Sequence, residues 1–219
     1  MLGVIMLDTV FPRYAGDIGN PGTFSFPVRR LVVRGAFPVR VVCESDRELI
    51  IPFIRAAKQL EEEGARLICT SCGFLSLFQS QIARELKVPF ISSSLLQVPL
   101  VYSLLGAEKK VGILTAHSGH LTREHLAAVG AGGVPVSIQG MEKEPEFSRV
   151  FVGNSPDADF HLLEREVARV ASRFAGPGDV GAIVLECTNL PPFEPRIREA
   201  SGLPVFHLNS LINMVYNSL

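Results

Sequence analysis

Short β-rich apolar runs alternate with longer segments of helical period along the whole of this 219-residue chain. That alternation leaves few architectures open, because it is what parallel strands joined by crossover helices require. Predicted strands are Gly3–Leu7, Val39–Cys43, Arg66–Ser71, Pro89–Ser92, Lys110–Thr115, Val134–Ile138, Gly181–Glu186 and Pro204–His207. Most are nearly continuous in apolar residues, as strands covered on both faces are. Between them, Asp46 to Glu63 is a predicted helix with Leu49, Ile50, Phe53, Ile54, Ala57 and Leu60 on one side, Pro52 near its start and Gly64 at its end. A second helix is expected from Asp157 to Phe174, with Ser155 as N-cap and Pro156 in the first turn. Leu162, Leu163, Val167, Val170 and Ala171 form its buried stripe, and Gly176-Pro177-Gly178 stops it.

One segment breaks the alternation. Asp8 to Arg30 contains Pro12, Pro21 and Pro27 with Gly16, Gly19 and Gly22, yet also Phe11, Tyr14, Phe24 and Phe26. It is too irregular for a strand or helix and too aromatic for a solvated linker. Long loops of this kind in compact proteins tend to be functional. The segment is expected to pack as a lid over a site, the alternative being a surface loop pinned by its aromatics.

A repeat lies beneath the alternation. Laid over Ile183–Leu211 at a shift of 115 residues, Ile68–Leu96 matches at Ile68, Cys72, Leu75, Phe78, Ile82, Pro89 and Leu96. Average composition gives about two such matches. Each copy also has the same order: apolar strand, cysteine at its carboxyl end, loop, helix, then a strand beginning at proline. Leu2-Gly3-Val4-Ile5 similarly matches Val111-Gly112-Ile113-Leu114. The fold class is therefore α/β, as two pseudo-symmetric lobes, each a short parallel sheet flanked by helices, with the active site in the cleft between them. The first lobe is assigned to residues 1–100, with 208–219 crossing back to it, and the second to 101–207.

Ligands of open parallel sheets bind outside the carboxyl ends of the strands, so Cys72 and Cys187 should approach one small molecule from opposite sides. Inverting a carbon acidified by a carboxylate needs one group to take the proton and another to deliver one on the opposite face. A thiolate/thiol pair does both, since it is unchanged after the roles swap. One thiol must then ionise more readily than a free cysteine does, and the helix N-terminus following each strand favours that.

Thr70-Ser71-Cys72-Gly73-Phe74, Gly112-Ile113-Leu114-Thr115 and Glu186-Cys187-Thr188-Asn189 resemble the motifs of the cofactor-independent aspartate/glutamate racemase superfamily. That superfamily also includes hydantoin racemases, maleate isomerases and arylmalonate decarboxylases. The resemblance covers essentially the whole chain. It implies two similar lobes around one site, with Cys72 and Cys187 as the catalytic acid/base pair. Substrate contacts are implied for Ser71, Gly73, Thr188 and Asn189, together with Asp8, Thr115 and Ser118. Two features depart from the pattern: Gly73-Phe74 stands where the amino-acid racemases commonly have Asn-Thr, and the long Asp8–Arg30 segment replaces a glycine-rich turn. The expected function is a cofactor-independent isomerase, an amino-acid racemase or epimerase acting on a small carboxylate such as aspartate or glutamate. A hydantoin-type racemase or maleate-type cis–trans isomerase is the alternative within the superfamily. A non-catalytic two-lobed protein that binds a small acid is the alternative outside it.

The remaining residues mainly exclude. Lys+Arg 21 against Asp+Glu 22, with no basic run, provides no electrostatic footprint for nucleic acid or an anionic membrane. The apolar stretch from Leu95 to Ala107 is too short to span a bilayer, and Met1–Leu7 reads as the first strand of a cytoplasmic protein. Cys43 and Cys69 are expected in the core as free thiols. His117, His120 and His125 lack the further ligands of a metal site, although His117 or His120 would lie near a strand end. Lys58, Lys87, Lys109, Lys110 and Lys143 leave a pyridoxal phosphate no obvious home, and Gly16–Gly22 lacks the setting of a phosphate loop. No cofactor is expected. The expected partner is a small-molecule carboxylate, which Arg13 or Arg29 would be suited to hold; a homodimer is left open.

Overall fold

The computed structural model describes residues 1–176 and 178–219. In chain order the elements are β1 (Leu2–Met6), β2 (Val28–Val32), α1 (Pro38–Val42), α2 (Ile50–Glu62), β3 (Leu67–Thr70), α3 (Gln79–Ala83), β4 (Phe90–Ile91) and α4 (Val98–Leu104). They continue with β5 (Lys110–Thr115), α5 (Arg123–Ala127), β6 (Val136–Gly140), α6 (Pro145–Phe147), α7 (Phe160–Ala171), β7 (Val180–Leu185), α8 (Glu194–Ser201), β8 (Val205–Phe206) and α9 (Leu208–Tyr216). Among the described residues, no helix is long and apolar enough to cross a membrane.

Two four-stranded parallel sheets result, ordered β2-β1-β3-β4 and β6-β5-β7-β8. The second order is the first displaced by four strands, so the repeat in the sequence is a repeat of topology. β1 and β3 are buried along their whole length, which explains why they read as unbroken apolar runs. Alternate residues serve the two faces. Leu2, Val4, Met6, Leu67 and Cys69 pack with Leu208, Leu211 and Ile212 of α9, whereas Ile5, Ile68 and Cys72 belong to the larger core. The end of the chain thus covers the outer face of the first sheet. On α2, Phe53, Ala56, Ala57 and Leu60 recur at helical spacing and are buried; burying a side chain such as Phe53 contributes about 2–3 kcal/mol.

Three local expectations are corrected. Val39–Cys43 is not a strand: Pro38 presets the first helical turn, and Pro38, Val41 and Val42 bury one stripe of α1 while Val39 faces outward. Burial on that stripe overrides the β-propensity of three valines. The irregular segment ends earlier than Arg30, because Val28–Val32 pairs with β1 as an edge strand whose residues are half-buried or exposed. Helix α7 begins at Phe160 rather than Asp157, and its N-cap is Asp159, whose carboxylate accepts from the Leu162 N–H at 3.0 Å. Ser155 instead accepts from Arg149. Leu163, Val167, Val170 and Ala171 are buried as predicted, whereas Leu162 is only half-buried. Of the proposed stop at Gly176-Pro177-Gly178, Pro177 lies outside the described residues. Cys69 is fully buried, but Cys43 is half-buried, at the end of α1.

Candidate active site

Each sheet sends one cysteine past the end of a central strand. Cys72 lies two residues beyond β3 in extended backbone and opens a tight helical turn over Gly73–Phe78. Cys187 lies two residues beyond β7, at the matching place in the second lobe. Both are 8% exposed and both line one cavity. The two loops are tied together: the Thr188 hydroxyl donates to the Ser71 carbonyl at 2.6 Å, and the Ser71 hydroxyl accepts from the Leu7 N–H at 2.9 Å. The cavity is tight, with a volume of about 20 Å³. Leu7, Thr9, Phe11, Arg13, Ser71, Phe74, Phe151, Glu186, Thr188 and Asn189 are among its walls.

Of the residues expected around the substrate, Ser71, Thr188 and Asn189 line this cavity with the two cysteines. The other four lie outside its wall. Asp8 pairs with Arg34 and accepts from the Gly35 N–H, and Ser118 donates to Glu142. Thr115 donates to Glu186, and Gly73 packs beneath that same carboxyl. His117 and His120 pack edge to face away from the cavity wall, with ring centroids 4.1 Å apart.

The irregular segment between β1 and β2 forms one wall. Thr9, Phe11 and Arg13 line the cavity, and the Arg13 guanidinium lies 4.3 Å from the centre of the Phe11 ring. Arg13 is held by Thr9 at 2.7 Å and by Asp17 at 3.0 Å. Asp17, almost fully buried, also accepts from the Asn189 amide at 2.7 Å. The segment is fastened at further points to the second lobe and to α9. Asn154 accepts from the Val10 N–H, Asn209 donates to the Gly16 carbonyl, and Phe11 packs edge-on to Phe151. Arg29, by contrast, lies on β2 and pairs with Glu63. Asp17→Ala is expected to destabilise the fold by about 3 kcal/mol, because it leaves a largely buried guanidinium unpaired. Thermal unfolding should detect this as a midpoint lowered by roughly 10 °C.

Burial raises the pKa of both thiols. The Glu186 carboxylate beside them adds to the rise. For Cys72, the Phe74 N–H and the Arg13 guanidinium oppose it; for Cys187, the Asn189 N–H does. The Cys187 thiol also donates to the Asn189 side-chain oxygen at 3.5 Å. Glu186 is 1% exposed, and burial raises its own pKa to about 7. One of its oxygens accepts from Thr115 at 2.7 Å, while the other has no partner among the described residues. Sequence reasoning did not single out Asp17 or Glu186. Only a fold that brings the two strand ends together gives either a role.

No protein-family model matches the sequence. The dimethylsulfoniopropionate lyase of Durusdinium sp. clade D is 30% identical over 214 residues, which cover 94% of this chain and 70% of that protein. The chain belongs to the dimethylsulfoniopropionate lyase family. Dimethylsulfoniopropionate lyase 3 of Emiliania huxleyi is 33% identical over all of this chain, which spans 59% of that relative. Among solved structures, glutamate racemase from Francisella tularensis superposes with a TM-score of 0.59 at 15% identity, covering 100% of this chain and 80% of the other. An aspartate racemase homologue from Pyrococcus horikoshii gives 0.56 at 17% identity, with 97% of each chain covered. The fold is that of the aspartate/glutamate racemase superfamily. Family membership overturns the expected amino-acid racemase, since the relatives at 30–33% identity are lyases and the racemases share only the fold. The chain belongs to a family of enzymes, which also displaces the reading as a non-catalytic binding protein.

Proposed function

We propose that this chain is a lyase unit that removes dimethyl sulfide from dimethylsulfoniopropionate by β-elimination, leaving acrylate. The reading rests on the names of its relatives and is carried by one observation: two buried thiols face a cavity lined by both polar and aromatic side chains. The substrate is a zwitterion, with a carboxylate at one end and a sulfonium on the carbon β to it. A thiolate takes the proton from the carbon next to the carboxylate. The electron pair left behind forms the C=C bond, and the C–S bond breaks. Dimethyl sulfide departs neutral and needs no proton, so the proton taken by the thiolate is released to solvent. Phe11, Phe74 and Phe151 suit the sulfonium methyls, since aromatic faces attract alkylated cations. Ser71, Thr188 and Asn189 supply polar groups.

Racemisation and elimination thus share their first step and differ in what the β-carbon carries. The purified chain incubated with dimethylsulfoniopropionate should release dimethyl sulfide, followed by headspace gas chromatography, with an equal amount of acrylate, followed by proton NMR. Release no faster than in buffer would reject the reading.

A further inference from the structure

We infer that Glu186 acts as a neutral carboxylic acid that donates a hydrogen bond to the carboxylate of the bound acid, so that ligand binding at this site takes up a proton. The inference rests on the cavity being the site of the proposed lyase and adds a residue that determines which ligands bind. Its basis is geometric. Glu186 lines the same cavity as both cysteines. One oxygen is committed as an acceptor to Thr115, and the Ala116 N–H also points at the carboxyl. The other oxygen is buried with no partner among the described residues. An acceptor left alone in that setting is costly, whereas a proton on it becomes a donor for an anion in the cavity.

The surroundings favour the neutral form. Facing Glu186 are the two thiols, Thr115 and the Gly73 backbone. The Arg13 guanidinium on the neighbouring wall is already paired with Asp17. Burial raises the carboxyl to about 7, and a bound carboxylate raises it further because like charges cannot both persist in a dry site. During elimination, negative charge grows on the substrate carboxylate as the α-proton leaves. An O–H donor held in the wall beside that charge stabilises the transition state more than the ground state.

The test is titration calorimetry of the full chain with acrylate, and with propionate as a saturated control, from pH 6 to pH 8. Using two buffers of different ionisation heat gives the protons exchanged. Binding at pH 8 should take up close to one proton, and binding at pH 6 almost none. The Kd should be about tenfold weaker at pH 8 than at pH 6. Glu186→Gln retains an N–H donor, so it should bind as the wild type does at pH 6 and show no pH dependence. Glu186→Met offers no donor and should bind about tenfold more weakly at pH 6. Binding without proton uptake at pH 8 overturns the inference, as does a methionine variant that binds like the glutamine one. Either result leaves the lyase reading standing, since release of dimethyl sulfide tests that separately. Failure of the wild type to bind either acid also overturns the inference.

Discussion

Replacing Cys72 or Cys187 with serine is expected to lower kcat/KM for dimethyl sulfide release by at least about 10²-fold, and by about 10³–10⁴-fold in the member that takes the proton. Serine preserves size and a weak donor but ionises far less readily than a thiol. Burial and Glu186 raise both thiols, which favours their protonated form. A sulfonium cation entering the cavity reverses part of that, since an opposite charge close by favours the thiolate. Thiolate formation is thus coupled to the arrival of the substrate. Elimination also needs only one base, unlike inversion, so the two variants should differ in severity, with the double variant no worse than the poorer single one. A single serine variant with half of wild-type turnover in headspace assays would remove that cysteine from the mechanism.

The sequence made the α/β alternation and the duplication legible because both are written in local apolar patterns. Lys110–Thr115 is recovered residue for residue, and Cys72 and Cys187 line one cavity together with Ser71, Thr188 and Asn189. Val39–Cys43 misleads because valine propensity is a weak prior against a stripe buried by tertiary packing. β2 was hidden because an edge strand needs apolar side chains on only part of its surface, and Arg29-Arg30 sits in its middle. Asp17 depends on the path of an irregular segment, and its partner Asn189 is 172 residues away. The nature of the reaction lay deeper still. A thiol that removes an α-proton looks the same whether that carbon is later inverted or its neighbour loses sulfur, so the choice between them belongs to the substrate and to the wall that holds it.

Gly73 lies behind that wall, against Glu186. Its φ is not in the left-handed region, so its requirement for glycine is steric. A β-carbon there would fall well inside van der Waals contact of the unpartnered Glu186 oxygen and of the Glu186 backbone carbonyl, and 2.9 Å from Glu186 Cδ. Asn-Thr, the sequence common in amino-acid racemases at Gly73-Phe74, would put a side chain where this chain places a carboxyl from the opposite lobe. Gly73→Ala is expected to push the two cysteine loops apart by several tenths of an ångström and to destabilise the fold by about 1–3 kcal/mol. Loss of alignment between thiol and α-carbon should cost roughly 10²-fold in kcat/KM. Adding Glu186→Ala removes the clash with the side chain but not the one with the carbonyl, so the double variant should recover only part of the lost stability. Gly133→Ala is the matched control: a β-carbon there meets nothing within 4 Å, and the change should be neutral or stabilise by about 0.4–1 kcal/mol. Thermal unfolding of the three variants beside wild type, with dimethyl sulfide release on each, tests the account. A Gly73→Ala protein as stable and active as wild type would mean that the carboxyl and strand end of Glu186 do not fix the spacing of the two thiols.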